Sequence, residues 1–278
     1  MIFKRNPSRI FQFPLFIVFI FPSFLYGQVD SLRYRPDFLR FADGVFYTYS
    51  APARWEAKDW LVLGGMVLGT SALTFADQPV RDFWQRHDNR FLDGIERVGY
   101  RYGKPYTAIG ITAGFYLSGM IFKSEWAKET GLILGTSIFS SSLLMGILKN
   151  VAGRARPGPE MGNMEFRPFH ESPAFHAFPS GHSSIAFGIS LVLAKRVESV
   201  PLKVLFYSLA GSTAVSRMYS DQHWVSDIGF GGMLAWFFAD TALSRLNTNR
   251  FRTVRIKDRM VWKVYPFPGG LTLRASLD

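Results

Sequence analysis

Six stretches of this chain are apolar almost throughout, and together they contain a single charged residue, Asp240. They are residues 60–76, 105–122, 130–148, 183–194, 204–215 and 228–243. The first three are 17 to 19 residues long, close to the length that spans a bilayer. Strongly amphipathic helices, which a water-soluble bundle needs, are scarce among them. The pattern predicts an all-α fold, a six-helix bundle that is transmembrane. A soluble bundle of buried apolar helices is the alternative.

The first 27 residues have the layout of a targeting segment. Three cations, Lys4, Arg5 and Arg9, precede the apolar stretch 10–25, and Gly27 supplies a small residue just after it. We therefore expect residues 1–27 to be a cleaved signal peptide or an uncleaved membrane anchor.

The rest of the chain divides by composition into three parts. Residues 28–58 are a polar, aromatic lead-in, residues 59–245 form the helical domain, and residues 246–278 form a basic C-terminal tail. Inside the domain, residues 77–104 are dense in charge but repeat their apolar residues at helical spacing. Within the tail, residues 261–277 alternate weakly, which favours a short strand or hairpin.

The charge balance restricts the classes of partner. The chain has 32 Lys and Arg against 21 Asp and Glu, a formal net charge of +11. Such an excess suits nucleic acid, an anionic membrane surface or an anionic substrate. No basic stripe is interleaved with stacking aromatics, so we expect no nucleic-acid partner. The chain has no cysteine, which excludes a disulfide framework and thiolate chemistry.

A histidine and a carboxylate, His223 and Asp227, stand four residues apart before the last apolar stretch. On a helix this spacing puts both on one face, where Asp227 can accept the imidazole Nδ1–H. That hydrogen bond would fix the tautomer and leave Nε2 free as a nucleophile. Arg217 lies across a turn, close enough to hold an anion at His223. A surface His–Asp pair is the simpler interpretation of the two residues by themselves.

The string Pro179-Ser180-Gly181-His182 precedes another apolar stretch. Ser180 is a good N-cap, and Gly181 permits close approach to the backbone. The free N–H groups and the dipole of such a helix start form an anion site. His182 would point at the same anion and could protonate a leaving oxygen. By itself the string indicates no more than a helix start.

Two further cations, Lys149 and Arg156, are seven residues apart, or two helical turns. Arginine offers a planar fork that matches phosphate oxygens, and lysine offers a point charge. By themselves they fit a juxtamembrane basic cluster that also includes Arg154. Residues 149–179 contain several prolines and no apolar periodicity, so we expect a long functional loop. We interpret its two histidines, His170 and His176, as loop residues rather than as additional acids.

Together the three strings read K-x6-R-P, P-S-G-H and S-R-x5-H-x3-D. This order resembles the type 2 phosphatidic acid phosphatase superfamily, which includes bacterial lipid phosphatases, class A acid phosphatases and vanadium haloperoxidases. The resemblance is firm over residues 149–239 and loose over the preceding apolar stretches. The positions of the motifs along the helices fit the membrane lipid phosphatases best, and haloperoxidase chains are usually much longer.

The resemblance implies a role for each matching residue. His223 would attack phosphorus to form a phosphohistidine, Asp227 would orient it, and His182 would protonate the leaving group. The equatorial phosphate oxygens would be held by Lys149, Arg156, Ser180, the Gly181 amide and Arg217. Because three cations can balance the transition-state charge, the resemblance implies no metal and no other cofactor.

The implied substrate is a lipid phosphate or diphosphate in a bacterial membrane: phosphatidic acid, phosphatidylglycerophosphate, an undecaprenyl diphosphate or a lipid A phosphate. A secreted, soluble acid phosphatase is the first alternative. The second is a membrane protein that binds phospholipid without catalysis.

The distribution of cations suggests an orientation. The basic turns at 123–128 and 195–203 and the tail from Arg245 favour the cytoplasm, which puts the three motifs on the periplasmic side. A cleaved signal peptide followed by three crossings would instead carry Lys149 to the inside. Either the leader stays cytoplasmic, or one apolar stretch does not cross fully, or the bundle is not a membrane bundle.

Overall fold

The computed structural model of the protein describes residues 36–87, 89–247, 260–267 and 270–277. The leader at 1–27 lies outside the described residues. Within them the chain forms helices α1 Asp37–Tyr49, α2 Ala57–Leu73, α3 Asp77–Arg86, α4 Arg90–Tyr102, α5 Pro105–Ile121, α6 Glu125–Ala152, α7 Gly181–Arg196, α8 Val200–Tyr219 and α9 Val225–Leu246, with an antiparallel hairpin of β1 Met260–Phe267 and β2 Gly270–Leu277.

The predicted all-helical bundle is confirmed, but the number of helices is not six. The six apolar stretches lie in α2, α5, α6, α7, α8 and α9. Three shorter helices, α1, α3 and α4, add to them in the part of the chain that is described. These three carry charged residues on one side and apolar residues on the other, so a search for uncharged stretches does not find them. The periodicity noted in residues 77–104 corresponds to α3 and α4.

Helix α7 lies at the centre of the bundle, in contact with α6, α8 and α9. Its residues Ile189 and Val192 are fully buried and belong to one cluster with Ile133 and Leu134 of α6 and Ala242 of α9. All-apolar helices can surround each other in this way because no face of α7 has to meet solvent. The short α4 packs against α8, and α3 packs against the end of α8.

Ion pairs fix α1 to the end of the bundle where α9 finishes. Arg245 of α9 binds Asp43 of α1 through both carboxylate oxygens, at 2.6 and 2.9 Å. Glu129 of α6 accepts from Arg196 of α7 at 2.9 Å, and Arg40 of α1 lies 3.5 Å away on its other oxygen. Part of the expected lead-in is therefore an ordered helix that packs on α6 and α9.

Helix α6 ends later than the sequence suggested. It continues through Lys149 to Ala152 and stops at Gly153, whose φ of 56° is the left-handed conformation typical of a helix C-cap. A Cβ at Gly153 would also overlap the backbone of Arg167. Lys149 therefore lies on the last turn of a helix, whereas Arg156 lies in the loop. The two-turn spacing is consequently not a helical spacing.

Two helical runs among the described residues are long and apolar enough to cross a membrane, Ala57–Arg86 and Glu125–Ala152. Half of the apolar window of the second run is buried in the bundle, but only 6% of the first. The outer surface of α2 and α5 is strongly apolar, with Leu61 and Leu68 of α2 and Ile109 and Ile121 of α5 each more than two-thirds exposed.

Candidate active site

His223 lies in the short connection between α8 and α9, and its side chain is almost fully buried. Its Nδ1 atom is 2.7 Å from the carbonyl oxygen of Ala177. A carbonyl oxygen can only accept, so Nδ1 must carry the proton. In the neutral ring Nε2 therefore keeps its lone pair, as a nucleophile requires.

Asp227 does not make the predicted hydrogen bond to His223. Its Oδ2 atom is 3.8 Å from Nδ1, and α9 begins at Val225, so His223 precedes the helix instead of sharing a face with Asp227. The carboxylate instead accepts from the backbone N–H of Trp224 at 2.8 Å and from Arg154 Nη1 at 2.6 Å. Asp227 thus stabilises the start of α9 directly behind His223.

Burial lowers the pKa of the His223 imidazole to about 4. Asp227 opposes the shift, while the positive charges of Lys149 and Arg156 add to it. The three residues therefore lie close enough to His223 for their charges to act on it. At neutral pH the ring is unprotonated, which is the state that can attack an electrophile.

Ser180 is the N-cap of α7, as the sequence predicted, and is completely buried. Its Oγ atom is 2.9 Å from Ser183 Oγ, and its backbone N–H donates to the Asp227 carbonyl at 3.0 Å. Gly231 of α9 lets α9 approach this helix start, because a Cβ there would lie 2.7 Å from the Ser180 carbonyl oxygen. The start of α7 at Ser180 and the first turn of α9 at Asp227 are therefore joined through their backbones. Contact of Ser180 or the Gly181 amide with an anion stays a prediction.

His182 occupies the first turn of α7, and its ring stacks on Tyr100 of α4 at a centroid distance of 5.6 Å. The same tyrosine ring has the Arg217 guanidinium 4.8 Å away and the Lys104 ammonium 4.0 Å away. His182 Nε2 is buried and has no hydrogen-bond partner among the described residues. Tyr100 thus brings the predicted acid and one predicted phosphate ligand to a common aromatic surface.

The other predicted cations surround the segment before α7. Lys149 Nζ donates to the His176 carbonyl at 2.8 Å, and its Cε atom would be 3.7 Å from a Cβ at Gly181. Arg156 donates through Nη1 to Gln222 Oε1, next to His223 in the chain. His176, predicted as a loop residue, is in the loop, and it supplies its carbonyl rather than its ring to Lys149.

Two of the three cations present a buried donor without a partner. Arg156 Nε and Arg217 Nε are both buried and unpaired within the described ranges. Arg217 is held from behind, since its Nη2 atom is 3.0 Å from Ser216 Oγ and 3.4 Å from Glu96 Oε1. Both guanidinium groups are therefore anchored on one side and have an N–H available on the other.

Known proteins are similar to the part of the chain that carries the predicted site residues. The PAP2 superfamily model matches residues 130–251. Residues 130–251 form a PAP2 superfamily domain. The chain is 34% identical over 119 residues to a lipid A 1-phosphatase of Rhizobium etli, covering 41% of this chain and 49% of that protein. It is 29% identical over 214 residues to a lipid A 1-phosphatase of Rhizobium johnstonii, covering 69% of this chain and 81% of that protein.

A solved structure has the same fold as this PAP2 domain. It is the transmembrane PAP2 type phosphatidylglycerolphosphate phosphatase of Bacillus subtilis, with a TM-score of 0.56 and 19% sequence identity. The similarity covers 71% of this chain and the whole of that one. The chain spans about half the length of the R. etli relative that it matches.

Several residues of the site were not found from the sequence. Tyr100 and Glu96 of α4 lie outside the PAP2 domain, in the charged segment 77–104. The sequence places Arg154 in a basic cluster, yet the residue is 1% exposed and binds Asp227 and Asp77. A charged residue next to a glycine in a proline-rich loop gives no sign of burial, so only the fold identifies it.

Proposed function

We propose that this protein is a membrane-embedded phosphatase that hydrolyses a lipid phosphate monoester or diphosphate through a phosphohistidine. One observation carries the proposal. Arg156 Nε, Arg217 Nε and His182 Nε2 are buried without partners in the described part of the chain, around a histidine whose Nε2 has a lone pair. Buried polar groups are nearly always paired, so this set is suited to a polyanionic ligand.

The proposed reaction has two steps. His223 Nε2 attacks phosphorus and forms the P–N bond while the bond from phosphorus to the leaving oxygen breaks. His182 gives a proton to that oxygen; burial and the neighbouring cations lower the His182 pKa to about 3 in the free protein, so this protonated state forms with the negatively charged phosphate bound beside it. The now neutral His182 then takes a proton from water, which attacks phosphorus, breaks the P–N bond and releases phosphate. Lys149, Arg156 and Arg217 balance the charge on the equatorial oxygens, and no proton is lost or gained overall.

A membrane location is favoured over the soluble acid phosphatase by the outer surface of the bundle. Leu61, Leu68, Ile109 and Ile121 are large apolar residues that stand more than two-thirds exposed, in the uncharged stretches 60–76 and 105–122. An apolar surface of this kind is costly in water and is favourable in lipid. Within the proposal, residues 59–245 are the catalytic domain, 1–27 the signal peptide or anchor and 246–278 a basic tail.

The relatives support a choice among the lipid phosphates. Both Rhizobium proteins are lipid A 1-phosphatases, so a phosphorylated glycolipid is the first substrate to expect. Phosphatidic acid, phosphatidylglycerophosphate and undecaprenyl diphosphate are the other members of the class. The basic turns favour a site that faces the periplasm.

A release assay tests the proposal. The full chain, purified in detergent, is incubated with a panel of these lipid phosphates and with a water-soluble phosphate ester. We expect phosphate release from at least one lipid, greatest with lipid A phosphate, and none with His223→Ala. Recovery of the protein in the soluble fraction after osmotic shock, with equal activity on the soluble ester, would support the secreted acid phosphatase instead.

A further inference from the structure

One face of α3 contacts the segment that carries His223. Asp77, Arg81 and Gln85 are spaced by four residues, so they lie along one side of the helix. Asp77 binds Ser226, Arg81 binds Asp221, and Gln85 donates to the backbone of Tyr219 at 3.3 Å. The contacts fall on both sides of His223 in the chain. Helix α3 itself lies outside the PAP2 domain.

Asp77 is the buried end of this face, with no exposed surface. Its Oδ1 accepts from the Ser226 N–H at 3.0 Å, and its Oδ2 accepts from Ser226 Oγ at 2.9 Å and from Arg154 Nη2 at 2.6 Å. The other side of Arg154 reaches Asp227 at 2.6 Å. A chain of charge-assisted hydrogen bonds therefore runs from α3 to the carboxylate behind His223.

Arg154 has no free donor in this chain of bonds. Nε donates to the Asn163 carbonyl, Nη1 to Ser226 Oγ and Asp227, and Nη2 to Asp77 and the Asn163 carbonyl. These are all five N–H groups of a guanidinium. A fully bonded, planar guanidinium has one orientation, so the position of Asp227 is determined by where Asp77 and Asn163 lie.

Arg81 holds the connection on the other side of the nucleophile. Its Nε and Nη2 atoms bind the two carboxylate oxygens of Asp221 at 2.8 and 2.9 Å, a bidentate pair. Asp221 has a φ of 54°, a conformation that non-glycine residues rarely adopt. The Gly158 N–H also donates to its carbonyl at 3.2 Å. The turn before His223 is thus held in an unfavourable conformation by contacts that include Arg81.

We propose that Asp77 and Arg81 are positioning residues, through which α3 fixes the segment 218–227 so that His223 Nε2 is aligned with the phosphorus atom. Asp77 acts through Arg154 and Asp227, and Arg81 acts through Asp221. Neither touches the reacting atoms. The inference rests on the proposed function for its catalytic consequence, but the fixing of the segment does not depend on which phosphate ester is cleaved.

The test compares Arg81→Gln and Asp77→Asn with Arg86→Gln, an exposed arginine of the same helix that binds only within α3 among the described residues. We expect kcat to fall roughly 10- to 100-fold in the first two with KM changed less than about twofold, since small displacements of a nucleophile cost this much. Arg86→Gln keeps the wild-type kcat. Arg81 is partly exposed, so its variant remains testable if Asp77→Asn fails to fold.

A double-variant cycle separates positioning from general destabilisation. If Asp77 acts through Asp227, adding Asp77→Asn to Asp227→Asn lowers kcat no further. Multiplicative losses of kcat would overturn that part of the inference. Asp43→Asn, which removes a partly buried ion pair at the far end of the bundle, should lower the melting temperature without changing kcat.

Hydrogen exchange gives a readout that does not require turnover. We expect faster amide exchange in the peptide 218–227 of Arg81→Gln and Asp77→Asn, and no change in Arg86→Gln. Unchanged exchange together with unchanged kcat would refute the positioning role. Faster exchange in a protein whose wild type cleaves no substrate of the panel would instead refute the proposed function and leave the role of α3 standing.

Discussion

His223 Nδ1 donates a hydrogen bond to the carbonyl oxygen of Ala177 across 2.7 Å. A backbone carbonyl cannot be protonated or removed by a side-chain change, so the tautomer of His223 is set by the fold of the segment before α7. The carboxylate that the motif places four residues later acts from a second position, 3.8 Å from the same nitrogen. Its charge can stabilise a positive imidazole without being needed to orient it.

Replacement of His223 and replacement of Asp227 should therefore differ in effect. We expect His223→Ala to lower kcat by about 10⁴-fold or more, because the nucleophile is lost. Asp227→Asn should cost about 10- to 100-fold, since Ala177 still holds the proton on Nδ1. Steady-state kinetics on the best lipid phosphate measures both. Equal losses in the two variants would show that Asp227 is required for the tautomer.

The depressed pKa of His223 predicts how stability depends on pH. The unfolded imidazole titrates near 6.5 and the folded one near 4, so the unfolded state binds the proton first as pH falls. The folded protein therefore keeps its full stability from this group above pH 6.5. The free energy of unfolding then decreases by about 3 kcal/mol as pH falls from 6.5 to 4.

His223→Asn removes this titration and serves as the comparison. Chemical unfolding in detergent at pH 7 and at pH 4.5 should show a smaller acid-induced loss of stability in the variant than in the wild type. The same loss in both proteins would place the acid-sensitive group elsewhere.

The position of Tyr100 predicts that its aromatic ring contributes to catalysis. Its ring lies against His182, Arg217 and Lys104 at 5.6, 4.8 and 4.0 Å. A cation is attracted to such a face by about 0.5 to 2 kcal/mol, so the ring favours the protonated form of His182 and holds Arg217 in place. We expect Tyr100→Phe to keep nearly full kcat/KM, and Tyr100→Leu to lower it by about 3- to 30-fold.

A pH profile distinguishes these two effects of Tyr100. In Tyr100→Leu the basic limb of kcat should move to lower pH, because a protonated His182 loses its aromatic partner. A uniform loss of kcat/KM at every pH would indicate a packing role alone.

The sequence predicted the helices that are built around an apolar stretch and the residues that make up the three motifs. It could do so because an uncharged apolar stretch has few alternatives to a buried or membrane helix. N-cap chemistry is also local, so a serine just before an apolar stretch predicts a helix start, and Ser180 does cap α7. The geometry of the site was more difficult to predict from the sequence. Helical spacing predicts a hydrogen bond from His223 to Asp227, but α9 begins at Val225, two residues after His223.

The contacts that complete the site are not local in the sequence. Asp77 and Ser226 are 149 positions apart, and Tyr100 meets His182 from a helix outside the motifs. In the sequence, α3 and α4 lie in a segment dense in charge, and nothing in it distinguishes the fully buried Asp77 from its charged neighbours. Burial of Asp77 and Arg154 depends on which helices come together, and no periodicity of either segment encodes it.

Gly231 and Gly232 are adjacent in α9 but meet different surroundings. A Cβ at Gly231 would lie 2.7 Å from the Ser180 carbonyl oxygen, a backbone atom at the start of α7. A Cβ at Gly232 would meet only the ring of Phe187, at 3.7 Å. Gly231→Ala should therefore push α9 away from Ser180 and cost about 1 to 3 kcal/mol, as overpacking of a core does.

Gly232→Ala is the matched control, and alanine is the better helix former, so this variant should be as stable as the wild type or up to about 1 kcal/mol more stable. Because Ser180 carries His182 with it, Gly231→Ala should also lower kcat at a temperature where the protein remains folded. Thermal unfolding and phosphate release, measured on both variants in one detergent, check the two effects. A Gly231→Ala variant that unfolds and reacts like the wild type would mean that α7 and α9 do not need this close approach.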